Sequence, residues 1–190
     1  ILISTQSPVR TDAEAKTIAN EILRRLKNGE DFGKPAEERT PITLVINSAG
    51  GNAIIGMALV NAIQTSITPV IGVCLGMCAS MAFGVFAVCH TRLSVADATF
   101  MVHDGYEYNP ISTTTKAQDW AKFSPRLTNR YNKAIAARTK FTVKELEDMS
   151  PHDCWFFADD LVDMGMVDGI IGKDIEMEEI EEVDNDEESI

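Results

Sequence analysis

Ile42-Thr-Leu-Val-Ile46, followed at once by Asn47-Ser-Ala-Gly-Gly51, is the stretch that decides the fold. The first five residues are apolar or β-branched and predict a strand, and the paired glycines predict a tight turn after it. A helix from about Ala53 to Thr65 and a buried strand from Val70 to Leu75 are predicted next. Strand, turn, helix and strand in this order favour an α/β domain, in which helical crossovers join parallel strands.

The same alternation extends outward from this stretch. Toward the N-terminus, a strand at Ile1–Thr5 precedes a capping box at Thr11–Glu14, which opens an amphipathic helix that ends at Asn28-Gly29. Toward the C-terminus the sequence predicts a helix from near Ser80 and a strand at Thr99–Val102. A long polar helix over Lys116–Lys140 follows, which we expect to be kinked or broken at Pro125. The last predicted elements are a helix opened by Thr142, a helix over Ala158–Met164 and a strand at Val167–Ile171.

Composition narrows the classes of function. The chain has 190 residues and a formal net charge of −12, which is consistent with one domain and disfavours nucleic acid as a partner. Its four cysteines form no C-x-x-C pair, and no apolar run is long enough for a membrane helix, so we expect a cytoplasmic protein without a zinc site. Residues 173–190 form an acidic tail that we expect to be disordered. Because the sequence opens on Ile1 inside a strand, we expect residues to precede it.

Ser80 is the candidate nucleophile. It lies in Gly76-Met-Cys-Ala-Ser80-Met81-Ala82, where a strand gives way to a helix, and the positive end of the helix dipole there would favour a developing oxyanion. Serine is also a common helix N-cap, so a purely structural role stays open. Cys78 is an alternative nucleophile, although a small buried apolar role fits it better.

The candidate base and acid lie farther along the chain. His103 ends the apolar strand Met101-Val-His103, at the edge where sites of α/β sheets assemble, but a structural histidine is the alternative. His90 ends an apolar helix and is predicted to cap it. Asp153 precedes an aromatic cluster, so it either accepts a histidine N–H or caps the next element.

The glycine turn is a further candidate. Gly50 and Gly51 would let backbone N–H groups face a ligand without shielding side chains, whereas an ordinary turn would use the same residues. Each of these motifs alone leaves its structural alternative open.

Together the motifs resemble, in order and spacing, those of Clp protease proteolytic subunits. The matching segments are Asn47–Gly51, Met77–Met81, Met101–His103, His152-Asp153 with Phe157-Ala158, and Met164–Asp168. The resemblance implies an α/β fold of the Clp and crotonase type, a superhelix of ββα units over residues 1–172 with a protruding helical handle at about 106–138. It implies Ser80 as nucleophile, His103 as general base, Asp153 as the acid that orients the histidine, Gly51 and Met81 as the oxyanion hole, and Asn52, Ala53 and Ile54 as the segment against which an extended peptide pairs.

The resemblance also implies partners. Members form seven-membered rings that stack in pairs into tetradecamers, enclose the active sites and cleave unfolded polypeptides without a cofactor or metal. Thr43 and Val45 stand where the family carries aromatic residues for an ATPase partner, so docking of a Clp ATPase is left open. His152 stands where an arginine commonly pairs across the ring interface, so ring stacking is expected to be weaker or sensitive to pH.

Three alternatives remain at this point. One is a phage-type, Clp-like maturation protease that works without an ATPase. The others are a crotonase-like acyl-CoA enzyme and a non-catalytic ring subunit.

Overall fold

A computed structural model describes residues 2–4, 20, 33–105 and 113–175. The strands of these residues are β1 (Leu2–Ser4), β2 (Ile42–Ser48), β3 (Val70–Ala79), β4 (Thr91–Val95), β5 (Thr99–Val102), β6 (Cys154–Phe157) and β7 (Gly169–Ile171). The helices are α1 (Ala53–Gln64), α2 (Met81–Ala87), α3 (Thr114–Ala136), α4 (Val143–Met149) and α5 (Ala158–Val162), with a short 3₁₀ helix at Ala36–Glu38. The predicted α/β class is confirmed.

Strand β3 organises the sheet. Its first half lies between β2 and β4 in the parallel order β1-β2-β3-β4-β7, while its last residues, Met77–Ala79, pair with β5. The register between β2 and β3 shifts, because Ile46 pairs with Cys74 but Ser48 pairs with Cys78. This irregularity bends β3 away from the main sheet and carries its end toward β5.

The core lies between the sheet and helices α1 and α2. Each of the seven residues of α2, Met81–Ala87, is buried, which explains why the segment is apolar on every side. Phe86 packs against Phe100 with ring centroids 5.4 Å apart. The core thereby fixes the start of α2 against the end of β5, and these are the two places where the candidate residues lie.

Several predicted elements agree with the structure and two strands were not predicted. The Thr142 capping box opens α4, with both of its reciprocal hydrogen bonds. Helix α3 runs on through Pro125, so of the predicted kink or break at this residue the break is wrong. Strands β4 and β6 were missed, because β4 carries a buried arginine, Arg92, and β6 exposes Trp155 and Phe157.

Arg92 explains how a polar strand is buried. Its guanidinium donates to both carboxylate oxygens of Asp168 and to the carbonyls of Ala87 and Arg138. A buried guanidinium is tolerated when its donors are satisfied in this way. The cluster ties β4 to the segment before β7 and to the ends of α2 and α3.

His90 does not cap a helix as predicted. Helix α2 ends at Ala87, and the His90 Nδ1 atom accepts the Val70 N–H at 3.1 Å at the start of β3. Burial, followed by the nearby charge of Arg138, lowers the pKa of His90, which favours the neutral ring that this acceptor role requires.

Some predicted segments lie partly or wholly outside the described residues. The helix predicted between Thr11 and Asn28 lies outside them, as do residues 106–112 of the predicted handle and residues 176–190 of the predicted tail. Lys173, Asp174 and Ile175 are described and hydrogen-bond back to β7 and Gly172. Among the helices described, none combines the length and the apolar character needed to cross a membrane.

Candidate active site

Ser80 occupies the junction between β3 and α2 in an unusual backbone conformation. Its φ is 53° and its ψ is −125°, and among the described residues other than glycine it alone has a positive φ. Ser80 holds the N-cap position of α2, yet its side chain makes no capping hydrogen bond. Strain of this kind costs about 1–3 kcal/mol and persists only where the surroundings enforce it.

His103 and Asp153 are brought to Ser80 by strand pairing. The parallel register of β3 and β5 sets Ala79 beside Met101, and the Ser80 N–H donates to the Met101 carbonyl at 2.8 Å. The antiparallel register of β5 and β6 sets Val102 opposite Cys154. His103, directly after β5, therefore faces Asp153, directly before β6.

The three side chains form a connected row. The Ser80 Oγ and His103 Nε2 atoms are 2.7 Å apart, and His103 Nδ1 lies 3.1 Å from Asp153 Oδ1. The histidine side chain is only 8% exposed, while that of Asp153 is 47% exposed. A proton on Nδ1 satisfies the carboxylate and leaves the Nε2 lone pair to accept the serine O–H. The structure therefore brings together the three residues that the sequence placed far apart.

The glycine turn packs directly against the Ser80 turn. A Cβ atom added to Gly50 would lie 2.7 Å from both the Ala79 carbonyl oxygen and the Ser80 Cβ, and the φ of Gly50 is +94°. Glycine is therefore required at this position both for its backbone and for the space. The contact brings Gly51 and Met81 to the same cavity as Ser80. Met81 is the first residue of α2, so its N–H has no acceptor within the helix.

The cavity measures about 740 Å³ and opens beside these residues. Its far wall is formed by side chains of α1 and α3, namely Ile54, Met57, Trp120, Ser124, Leu127, Thr128 and Tyr131. This size is typical of small-ligand clefts, and the wall is mainly apolar. The cavity can accept an apolar side chain next to the Ser80 hydroxyl.

Asn52, Ala53 and Ile54 also line the cavity, but their geometry differs from the prediction. Asn52 is the N-cap of α1, and its side-chain oxygen accepts the N–H groups of Ile54 and Ile55 at 2.9 and 3.1 Å. The predicted strand-like pairing along all three residues does not fit, because Ala53 and Ile54 already belong to a helix.

Cys78 is excluded as the nucleophile by its burial. Its side chain is fully buried and its thiol donates to the Ala82 carbonyl at 3.3 Å. Burial raises the pKa of Cys78 well above its ordinary value, so the reactive thiolate is disfavoured.

Tyr131 is the site residue that sequence reasoning missed. Its hydroxyl donates to the Ser80 carbonyl at 2.8 Å from helix α3, 51 residues along the chain. The sequence around it is polar and helical and carries no motif that points to Ser80. Only the packing of α3 against Gly84 of α2 reveals the contact.

Other predicted positions lie away from the cavity. His152 is exposed next to Asp153, and Thr43 and Val45 are partly buried on β2. Within the described segments, no group of three or more histidine, cysteine, aspartate or glutamate residues is arranged to hold a metal ion.

Comparison with known proteins indicates the family of the chain. A family model described as Clp protease matches residues 9–174. The chain is 28% identical over 143 residues to ATP-dependent Clp protease proteolytic subunit 3 of Rhodococcus jostii, covering 72% of this chain and 68% of that protein. It is 30% identical over 161 residues to ATP-dependent Clp protease proteolytic subunit 2 of Tropheryma whipplei, covering 80% of this chain and 83% of that protein.

Proposed function

Since the chain belongs to the Clp protease family, we propose that it is a serine endopeptidase that hydrolyses unfolded polypeptides inside a ring-shaped chamber. The observation that carries the proposal is the 2.7 Å contact between Ser80 Oγ and His103 Nε2. A serine hydroxyl at this distance from an imidazole nitrogen can pass its proton to the ring as it attacks.

The reaction follows from the three side chains. Ser80 Oγ attacks the scissile carbonyl carbon while His103 takes the hydroxyl proton, and Asp153 stabilises the imidazolium that forms. His103 then gives the proton to the leaving amine, and the C–N bond breaks to leave an acyl ester on Ser80. A water molecule, activated by His103 in the same way, hydrolyses the ester and restores the serine.

The oxyanion of each tetrahedral intermediate needs donors beside Ser80. The Gly51 and Met81 N–H groups are the proposed donors, because both residues line the cavity and the two turns that carry them are in contact at Gly50. Removing one donor from an oxyanion hole of this kind raises the barrier by about 3 kcal/mol.

The substrate and assembly are part of the same proposal. We expect polypeptide substrates and homo-oligomeric rings of seven chains, whose stacking into tetradecamers is weaker or sensitive to pH because of His152. The two relatives are named as ATP-dependent proteolytic subunits. Thr43 and Val45 lack the aromatic rings that the family uses in docking, so docking of a Clp ATPase to this chain is left open.

The geometry favours this function over two of the alternatives, the crotonase-like acyl-CoA enzyme and the non-catalytic ring subunit. A crotonase-like acyl-CoA enzyme would require paired backbone donors but not a connected Ser80, His103 and Asp153 row. A non-catalytic subunit would not be expected to keep that row at 2.7 and 3.1 Å.

The proposal is tested by steady-state hydrolysis of short fluorogenic peptides that present an apolar residue before the scissile bond. We expect the parent protein to turn over and Ser80→Ala to lose at least about 10³-fold in kcat. Ser66→Ala is the matched control, since the Ser66 hydroxyl donates to the Thr68 carbonyl in a turn away from the cavity, and its kcat should stay within about twofold of the parent. Equal turnover by Ser80→Ala and the parent would contradict the proposal.

A further inference from the structure

The Ser80–Met81 peptide unit is held from two sides. On its carbonyl side, the Ser80 oxygen accepts the Phe83 N–H at 3.0 Å and the Tyr131 hydroxyl at 2.8 Å. On its other side is the Met81 N–H, the first of α2, next to the cavity. Because a peptide unit is planar, with its C=O and N–H pointing in opposite directions, a group that fixes the carbonyl also fixes the N–H.

Tyr131 is itself locked in place. Its ring lies so close to Gly84 that a Cβ atom there would come within 2.0 Å of the ring carbon Cε2. Burial raises the pKa of Tyr131 well above its ordinary value, so its hydroxyl keeps its proton and remains a donor. The contact with Gly84 therefore supports the ring on the side of α2, next to the Ser80 carbonyl that its hydroxyl meets.

We propose that Tyr131 is a positioning residue for the oxyanion hole: its hydroxyl holds the Ser80–Met81 peptide so that the Met81 N–H points at the substrate oxygen. This inference rests on the proposed peptidase function. A hydroxyl that donates to the carbonyl also polarises the peptide, which strengthens its N–H as a donor to a negative charge. Tyr131 thus acts on the transition state through a main-chain group and does not touch the substrate oxygen.

The arrangement couples helix α3 to the chemistry. Most residues in the first half of α3 are exposed, whereas its second half packs on α2 and α4. A shift of α3 would withdraw the hydroxyl from the Ser80 carbonyl and release the strained turn. The helix is therefore a support for the site and not only a wall of the cavity.

The test is Tyr131→Phe, which removes the hydroxyl and leaves the ring against Gly84. We expect kcat for peptide hydrolysis, counted per active serine by titration with a fluorophosphonate, to fall about tenfold while KM changes less than about twofold. The affinity for a peptide boronic acid, which forms a tetrahedral adduct on serine, should fall by a similar factor. The pH dependence of kcat should keep its midpoint, because His103 and Asp153 are untouched.

Thr139→Val is the matched control. It removes a hydroxyl that likewise donates to a main-chain carbonyl, that of Ile135, in the last turn of the same helix. Its kcat per active serine should equal that of the parent, even if its unfolding midpoint falls. Gly84→Ala is a second variant, which displaces the Tyr131 ring without altering its hydroxyl, and it should lower kcat per active serine as Tyr131→Phe does.

The outcomes separate the two proposals. The inference is overturned if Tyr131→Phe has the same kcat per active serine as the parent. This holds even if a smaller fraction of its chains reacts with the fluorophosphonate, because Tyr131 would then have only a structural role. If the parent itself neither hydrolyses peptides nor reacts with the fluorophosphonate, the proposed function fails and takes the inference with it.

Discussion

Two strand-to-helix turns in this molecule use a polar residue at the same position in opposite ways. Asn52, before α1, has ordinary extended dihedrals of −60° and 120°, and its side chain accepts two N–H groups of the helix that it precedes. Ser80, before α2, has dihedrals of 53° and −125°, and its side chain makes no contact of that kind. The Ser80 hydroxyl instead lies 2.7 Å from His103.

The difference leaves the Ser80 hydroxyl available for the proposed reaction. A serine at a helix start normally stabilises the helix by about 1 kcal/mol through capping. Here the backbone turns the hydroxyl away from the helix, and hydrogen bonds from neighbouring elements hold the strained conformation. The predictions below break or sharpen this contrast, from the largest effect to the smallest.

The largest effect is expected from Gly50→Ala, because Gly50 is where the two turns touch. The added methyl group would collide with the Ala79 carbonyl and the Ser80 side chain, and the φ of +94° would be strained. We expect a loss of about 2 kcal/mol in the free energy of unfolding and about 100-fold in kcat, measured by urea unfolding and peptide hydrolysis.

Gly33→Ala is a control that separates the backbone strain of a positive φ from the steric clash expected in Gly50→Ala. Gly33 has a similar φ of +93°, but an added Cβ there would meet no atom within 4 Å. This variant should lose about 1 kcal/mol of stability and keep the parent kcat. A kcat for Gly50→Ala equal to that of Gly33→Ala would show that contact between the turns is not needed.

A smaller effect distinguishes the two caps in stability. Asn52→Ala removes two hydrogen bonds to helix N–H groups and should lower the free energy of unfolding by about 1 kcal/mol. Ser80→Ala removes no cap and should change it by less than about 0.5 kcal/mol. Thr142→Ala, at the capping box of α4, is the positive control and should behave like Asn52→Ala. Equal losses at Asn52 and Ser80 would mean that Ser80 caps α2 in solution.

The smallest effect concerns His90, a second side chain that supports the backbone. Because its pKa is lowered in the folded state, the unfolded chain takes up a proton first as the pH falls. The stability that His90 contributes is therefore present above its ordinary pKa of 6.5 and is lost as the pH falls below that value toward the folded pKa.

The measurement is the unfolding midpoint in urea between pH 8 and pH 5. His90→Asn offers an uncharged acceptor to the Val70 N–H, and its midpoint should fall less than that of the parent over this range. Its peptidase activity at pH 8 should equal the parent's. Parallel pH profiles for the two proteins would show that His90 does not titrate differently on folding.

Local pattern was enough to predict much of this architecture. Strand β2, the glycine turn and helix α1 follow from a β-branched run, paired glycines and helical spacing, all of which act between near neighbours. The capping box at Thr142 is equally local. Strand β4 could not be predicted in this way, because the partners that let Arg92 be buried include Arg138 and Asp168, which lie 46 and 76 residues farther along the chain.

Ser80, His103 and Asp153 could be named as candidates from the sequence, but their geometry and the contact of Tyr131 could not. Ser80 looks like an N-cap from its neighbours alone, and only the contacts of Met101, Tyr131 and Gly50 explain its backbone. The same contacts explain why the Ser80 side chain lies next to His103 and does not cap α2. Local sequence does not contain them, because they join three separate elements.

The most direct test of Ser80 as the proposed nucleophile is mass spectrometry of the protein after reaction with a fluorophosphonate. We predict one adduct per chain, mapped to Ser80, which is absent in Ser80→Ala and unchanged in Ser66→Ala. No adduct on the parent protein, or an adduct on any residue other than Ser80, would contradict the account.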